Sequence, residues 1–337
     1  MQAGNSRSGR WLLAPLLVLA AGCGAAVATG SGGSTGYATK PSQPGRVNPA
    51  AVPLGDGYVS TVPRVGYVDS CLTHFGATGG ARVNGPWINT ASHTWDYRTK
   101  LHVNGAVRWP SAAYSAATRG GRRVIVFNSL PINHVTGVFP IQSSDPAYRY
   151  DQNANHIVAH SLSWSLPLSP PAATSAGCTG SGPVGVLSDG VVLYNALDGE
   201  GRDAGAHEVL DVCAGHPDPS STYHHHDIPP CILNRVPPAS TKLVGYALDG
   251  YGIYVTKDAK GRLPGNTQLD ACHGTTSRVL WNGKLERIYH YVATLEYPYT
   301  VGCYHGTALS VGGPPGRPAD RGPPAGSGPG PPGPGGP

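Results

Sequence analysis

Charge is what this 337-residue chain has least of. Asp and Glu number 19 and Lys and Arg 24, so charged side chains make up 13% of the sequence, about half the usual share. No basic run exceeds the pair Arg122-Arg123. A net charge of +5 scattered in this way builds no clustered cationic face of the kind that grips phosphates, which excludes nucleic acid as a partner. Methionine is equally scarce: the single Met is Met1, so no thioether is left for a Cu(I) site. No stretch of a dozen residues sustains an apolar period of 3.6, which excludes a helical bundle. The G-x-S-x-G, Walker and dinucleotide fingerprints are missing too, and with them the usual signals of a hydrolase, an NTPase or a nucleotide-dependent oxidoreductase.

The one uncharged apolar run, residues 11–21, is too short to cross a bilayer but has the length of a secretory h-region behind Arg7 and Arg10. It leads into Ala20-Ala21-Gly22-Cys23, which resembles the signal of bacterial lipoproteins. That resemblance implies a signal peptide over 1–22, lipid attachment at Cys23, a membrane partner through that anchor, and an exported protein on the outer face of the cell membrane or in the envelope. Residues 23–56 are rich in Gly, Ser and Pro and read as a flexible linker, and the Gly/Pro tail 312–337 as disordered. The folded part then runs from 57 to 311, divided into an N-terminal β region over 57–180 and a second region over 181–311.

Strand signals dominate this span. Asn84-Gly85, Asn104-Gly105, Asp189-Gly190 and Asp249-Gly250 lie among Val, Ile, Tyr and Trp residues, and each pair suits a two-residue type I′ hairpin turn. The best helix candidate is 203–213, with Asp203 as N-cap. The expectation is a mainly β, hairpin-rich domain, sandwich-like or irregular, with few short helices.

The second region also repeats itself. Gly185, Asp189, Gly190, Tyr194, Asp198, Gly201 and Arg202 recur sixty positions on as Gly245, Asp249, Gly250, Tyr254, Asp258, Gly261 and Arg262. Leu210-Asp211-x-Cys213-x-Gly215 recurs as Leu269-Asp270-x-Cys272-x-Gly274, and each copy goes on to a Tyr-His pair, Tyr223-His224 or Tyr289-His290. Two related units, about 183–231 and 243–303, are the simplest reading. Beyond Cys23 the six cysteines are an even number in an exported chain, which implies disulfides. The repeat gives each unit an opening and a closing Cys, predicting Cys213 with Cys231 and Cys272 with Cys303, and leaving Cys71 with Cys178.

The run His207-Glu208-Val209-Leu210-Asp211-Val212-Cys213, then Tyr223-His224-His225-His226, then Gly245-Tyr246-Ala247-Leu248-Asp249-Gly250 closely resembles the YHYH-domain family, named for a Tyr-His-Tyr-His segment. Two positions depart from it: His225 stands where the family has Tyr, and the second copy reads Tyr289-His290-Tyr291-Val292, without a final His. The resemblance implies a secreted or envelope protein and no particular activity.

His224 and His226 are two apart, which on a strand places both rings on one face, with Tyr223 and His225 on the other. With His207 and His216 upstream they make a candidate imidazole site for Zn or Cu(II). His207-Glu208-x-x-Asp211 also resembles a zincin helix with Asp for the second His. Asp270 repeats Asp211 without the His-Glu pair, so Asp211 reads as a cap on the cystine loop, and a metal-dependent hydrolase is the weaker reading. Asp189 and Asp249 read as turn residues. The 17 Tyr and 6 Trp would equally suit a non-catalytic module for a cell-surface glycan or protein partner, with the histidines structural. On balance the sequence leans away from an enzyme.

Overall fold

The computed structural model describes residues 47–76 and 81–311; the signal segment, Cys23, most of the linker and the tail lie outside them. The protein is mostly β, with helices of four residues or fewer among the described residues. Strands β1 (Tyr114–Arg119), β2 (Arg122–Phe127) and β3 (Leu162–Pro167) form a three-stranded antiparallel sheet. An eight-stranded mixed sheet follows. It is built from β4 (Pro183–Leu187), β5 (Val192–Tyr194), β6 (Gly215–Pro217), β7 (Tyr223–His225), β8 (Ser240–Ala247), β9 (Gly252–Lys257), β10 (Gly274–Trp281) and β11 (Lys284–Val292).

Its strand order is β6-β7-β5-β4-β8-β9-β11-β10, so the second unit repeats the first outward from a central seam. In each half a hairpin is followed by a crossover to a parallel partner: Leu193 faces His225 between β5 and β7, and Ile253 faces Tyr291 between β9 and β11. Each half ends on an antiparallel edge, with His216 opposite His224 and Thr275 opposite His290. At the antiparallel seam Val186 faces Tyr246. There the repeated Gly185 and Gly245 are needed for close approach, since a Cβ on either would sit 2.6 Å from a carbonyl oxygen of the facing strand.

Both Asp-Gly hairpins form, though the turns are not type I′. Within each turn only the glycine, Gly190 or Gly250, has positive φ, and Gly190 N–H donates to Leu187 O as Gly250 N–H does to Ala247 O. These are three-residue loops, a turn closed by one left-handed Gly. The Asn104-Gly105 strands do not pair with each other: Val103 bridges to Asp211 and Val107 to Thr136. A two-residue turn with both φ values positive occurs instead at Asn282-Gly283, between Trp281 and Lys284.

The helix expected over 203–213 is a single turn, α1 (Ala204–His207), capped by the Asp203 carboxylate on Ala206 N–H. Glu208 is already extended, and the Asp151 carboxylate takes Val209 N–H into a tertiary bond, ending the helix. One apolar core joins Ile125, Phe127, Trp164 and Leu166 to Val186, Leu193, Ile253 and Tyr291. A second gathers Val52, Trp87, Trp95, Val209 and Tyr299 around α1. The cystines are Cys71–Cys178, Cys213–Cys231 and Cys272–Cys303, bonds that suit an exported protein.

Candidate metal centre

The edge strands of the first unit aim three imidazoles at one point. His216 and His224 are direct partners across the β6–β7 pair, so their rings share a face, and His226, two residues beyond His224, returns to it. Their ligand nitrogens lie within 4.8 Å of one another, and all three residues are buried. The fourth group is one the sequence did not single out as a ligand. Glu208 Oε2 lies 3.2 Å from His216 Nε2 and 3.3 Å from His226 Nε2.

His207, expected among the ligands, is elsewhere: its Nε2 binds the Asp56 carboxylate at 2.9 Å. It is the last residue of the turn and Glu208 the first beyond it, so their side chains leave the chain in different directions. Glu208 therefore takes the place that His207 was expected to fill.

Hydrogen bonds fix two of the rings. His224 Nδ1–H donates to Thr222 O at 3.0 Å, and His226 Nδ1–H to Asn195 O at 2.5 Å. In the neutral rings both Nε2 atoms therefore carry lone pairs, and these face each other at 3.1 Å. Such a contact is repulsive unless a proton or a cation lies between them. Burial, reinforced by the neighbouring rings, pulls the pKa of His216 and His226 well below the imidazole range, and burial lowers that of His224. An added proton is thus the costly solution.

His216 Nε2 and Glu208 Oε2 are buried and, though 3.2 Å apart, have hydrogen-bond geometry neither with each other nor with another described group, which is costly for polar groups left unused. Burial and the nearby Asp198 and Asp151 hold the Glu208 carboxyl well above its ordinary pKa. Tetrahedral coordination at about 2.0–2.2 Å places neighbouring ligand atoms about 3.4 Å apart. Three of the separations, His224 to His226 at 3.1 Å and Glu208 to His216 and His226 at 3.2 and 3.3 Å, approach that edge length. His216 has the weakest outer support: Asn153 Nδ2 is 3.3 Å from its Nδ1 but makes its shorter bond, 2.9 Å, to Pro217 O. Tyr194 covers the His224 ring in a stacked contact at 4.1 Å and anchors its hydroxyl on Asp218.

The opposite face of β7 is tied into the fold. Tyr223 O–H donates to Asp211 Oδ2 at 2.9 Å, and Asp211 Oδ1 accepts from Cys213 N–H and Gly215 N–H, which makes Asp211 the cap of the cystine loop. His225 Nδ1–H donates to Ala214 O, and its Nε2 meets Asp189 Oδ2 at 3.1 Å, where His134 Nε2 arrives at 3.0 Å. Asp189 is thus more than a turn residue. Against the cost of burial, the His134 and His225 bonds hold its carboxyl below the ordinary range.

In the second unit Tyr291 O–H makes the matching bond to Asp249, so a Tyr can replace His225 in this frame. His225→Tyr should retain metal binding within about threefold of the wild type in a Zn(II) titration. A loss as large as that of His224→Ala would show that the two faces are not independent. The second unit keeps only His290 of the cluster. Thr267, Thr275 and Val292 stand where the first has Glu208, His216 and His226.

Fold and cluster together define a mainly β, cystine-bonded protein whose first unit buries three histidines together, with a glutamate against two of them. Residues 163–263 match the family model described as YHYH protein, and the chain carries a YHYH domain over that span. The span contains all four cluster residues and stops before β10. No curated protein and no solved structure matches the chain.

Proposed function

We propose that this is an exported, lipid-anchored envelope protein that binds one divalent transition metal, Zn(II) or Cu(II), through His216, His224, His226 and Glu208. The observation that carries the reading is the pair of lone pairs on His224 and His226, aimed at each other at 3.1 Å with their outer nitrogens already committed. The orphaned Glu208 and His216 atoms support it. Nitrogen and oxygen donors suit Zn(II) and Cu(II). A buried set of four protein ligands resembles closed structural sites more than catalytic ones, which keep a position open.

Calorimetric titration of the metal-free protein with Zn(II) and with Cu(II) tests this. Binding near 1:1 with a Kd below ~10 μM is expected for at least one of them. The folded rings already sit below the model imidazole value of ~6.5, so they need lose no proton at pH 7. Affinity should hold down to about pH 6.5 and collapse only at lower pH, as protons begin to compete for the nitrogens. No binding, or a loss of affinity centred above pH 7, would count against imidazole ligation.

Anchoring rests on the segment that ends in Cys23. Labelled palmitate should enter the protein in a bacterial host and be absent from Cys23→Ser. A soluble product cleaved beyond Cys23 would remove the anchor from the proposal. Acylation on two or more chains would account for stable attachment, since a single chain binds only marginally.

A further inference from the structure

The second unit lacks three of the four proposed ligand residues and is longer at its edge. Its edge hairpin, β10–β11, has strands of eight and nine residues, against three and three for β6–β7. The extension lies beside the β1–β2 hairpin, and between them opens a cleft of about 340 Å³, within the range of small-ligand sites.

The chemistry of the walls is one-sided. Arg123 and Lys242 line the cleft together with Thr118, Thr241, Tyr246 and Asn282, and no Asp or Glu is among the lining residues. Arg123 is 5% exposed and pairs with no carboxylate among the described residues. Its guanidinium lies over the Tyr246 ring at 4.1 Å and the Trp281 ring at 4.5 Å. One of its nitrogens, Nη2, bonds Asn282 Oδ1, and Nη1 has no hydrogen-bond partner. A buried cation held by aromatic faces, without an anion, is incompletely compensated. Lys242 on the exposed rim adds a second positive charge. The Thr118 hydroxyl, with the remaining hydrogen-bond capacity of Thr241 and Asn282, whose side chains already bond Thr256 Oγ1, Arg123 and Leu168 O, supplies donors and acceptors that a polyol needs.

We infer that this cleft is a binding site for an acidic carbohydrate, a sugar unit bearing a carboxylate or phosphate, whose anion meets Arg123 and Lys242 and whose hydroxyls meet Thr118, Thr241 and Asn282. The site is separate from the histidine cluster and does not depend on metal. It gives the second unit a task that the frame it shares with the first does not itself require.

The test uses the full chain at low ionic strength, titrated with a uronic-acid trisaccharide, its neutral counterpart of the same linkage, a sugar phosphate and inorganic phosphate. At least one acidic sugar should bind with a Kd below ~1 mM and weaken as salt rises. The neutral sugar and free phosphate should bind at least tenfold more weakly. Whether the uronate or the sugar phosphate binds more tightly identifies the anion. Lys242→Glu, at an exposed position, should weaken binding at least tenfold, Thr241→Trp should block the cleft, and His224→Ala should leave sugar affinity unchanged. Equal binding of the neutral sugar, no acidic sugar below ~1 mM, or an unaffected Lys242→Glu would overturn the inference. Loss in His224→Ala as well would place the sugar at the histidine cluster rather than in this cleft.

Discussion

Alanine at His224 or at His226 should abolish divalent metal binding, at a cost of at least about 100-fold in affinity, because either change removes one of four groups that close a single shell. The effect should also be visible as lost thermal protection. A metal present at ~1,000 times its Kd stabilises the folded state by about 4 kcal/mol, and for a chain of this size each kcal/mol moves the melting temperature by about 2–4 °C. The wild type should therefore melt about 8–16 °C higher with metal than with chelator, and both variants should melt alike in the two conditions. His290→Ala, in the unit where Thr275 and Val292 stand opposite His216 and His226, should keep the full shift. Differential scanning calorimetry of the four proteins, each with Zn(II) and with EDTA, makes the comparison. A metal-dependent shift that survives in His226→Ala would remove that residue from the site.

The largest single loss of stability should follow Cys71→Ser or Cys178→Ser. This cystine closes 107 residues, and on the chain-entropy account a loop near that length contributes about 4.7 kcal/mol, against about 3 kcal/mol for a loop of some fifteen residues. The Cys213–Cys231 and Cys272–Cys303 loops span 18 and 31 residues and should each matter less. The urea midpoint should fall furthest in the double variant lacking Cys71–Cys178, less without Cys272–Cys303 and least without Cys213–Cys231. The long bond also positions the site indirectly. It ties the segment before β4 to a chain region in which Asp69 N–H donates to Gly302 O and Cys71 N–H to Thr179 O. A smaller loss for this pair than for Cys213–Cys231 would mean that local strain or residual unfolded structure, rather than loop length, sets the order.

Much of the second region was legible because its signals are local and occur twice. Asp-Gly between Val-rich flanks announces a hairpin, and a Cys two residues past Leu-Asp announces a loop that Asp211 or Asp270 then caps. The partners of those hairpins were not legible. The parallel pairs β5–β7 and β9–β11 join segments some thirty to forty residues apart, and nothing in an apolar alternation says which distant strand will lie alongside. The strand-face reading of His224 and His226 describes what β7 does, since that depends only on the two-residue period. The exchange of His207 for Glu208 could not be read in the same way. It turns on where a one-turn helix stops, and that is decided by Asp151 taking the Val209 amide from a distant part of the chain. A signal was nevertheless present. Once the two units are aligned, Glu208, His216 and His226 stand opposite Thr267, Thr275 and Val292, so comparing the copies for chemistry lost by one of them points to Glu208.

The seam between β4 and β8 has a consequence for how such a sheet can be assembled. It is antiparallel, centred on like strands and closed by the same Gly from each side, which makes it self-complementary in the sense of an isologous interface. One unit alone would carry an open inner edge whose natural complement is a second copy of itself, and a symmetric pair of first units would rebuild the eight strands with a histidine cluster at each outer end. Joining two units in one chain makes that pairing intramolecular and independent of concentration. It also breaks the symmetry, so that the histidine and glutamate cluster sits at one end and Thr267, Thr275 and Val292 stand at the matching positions of the other.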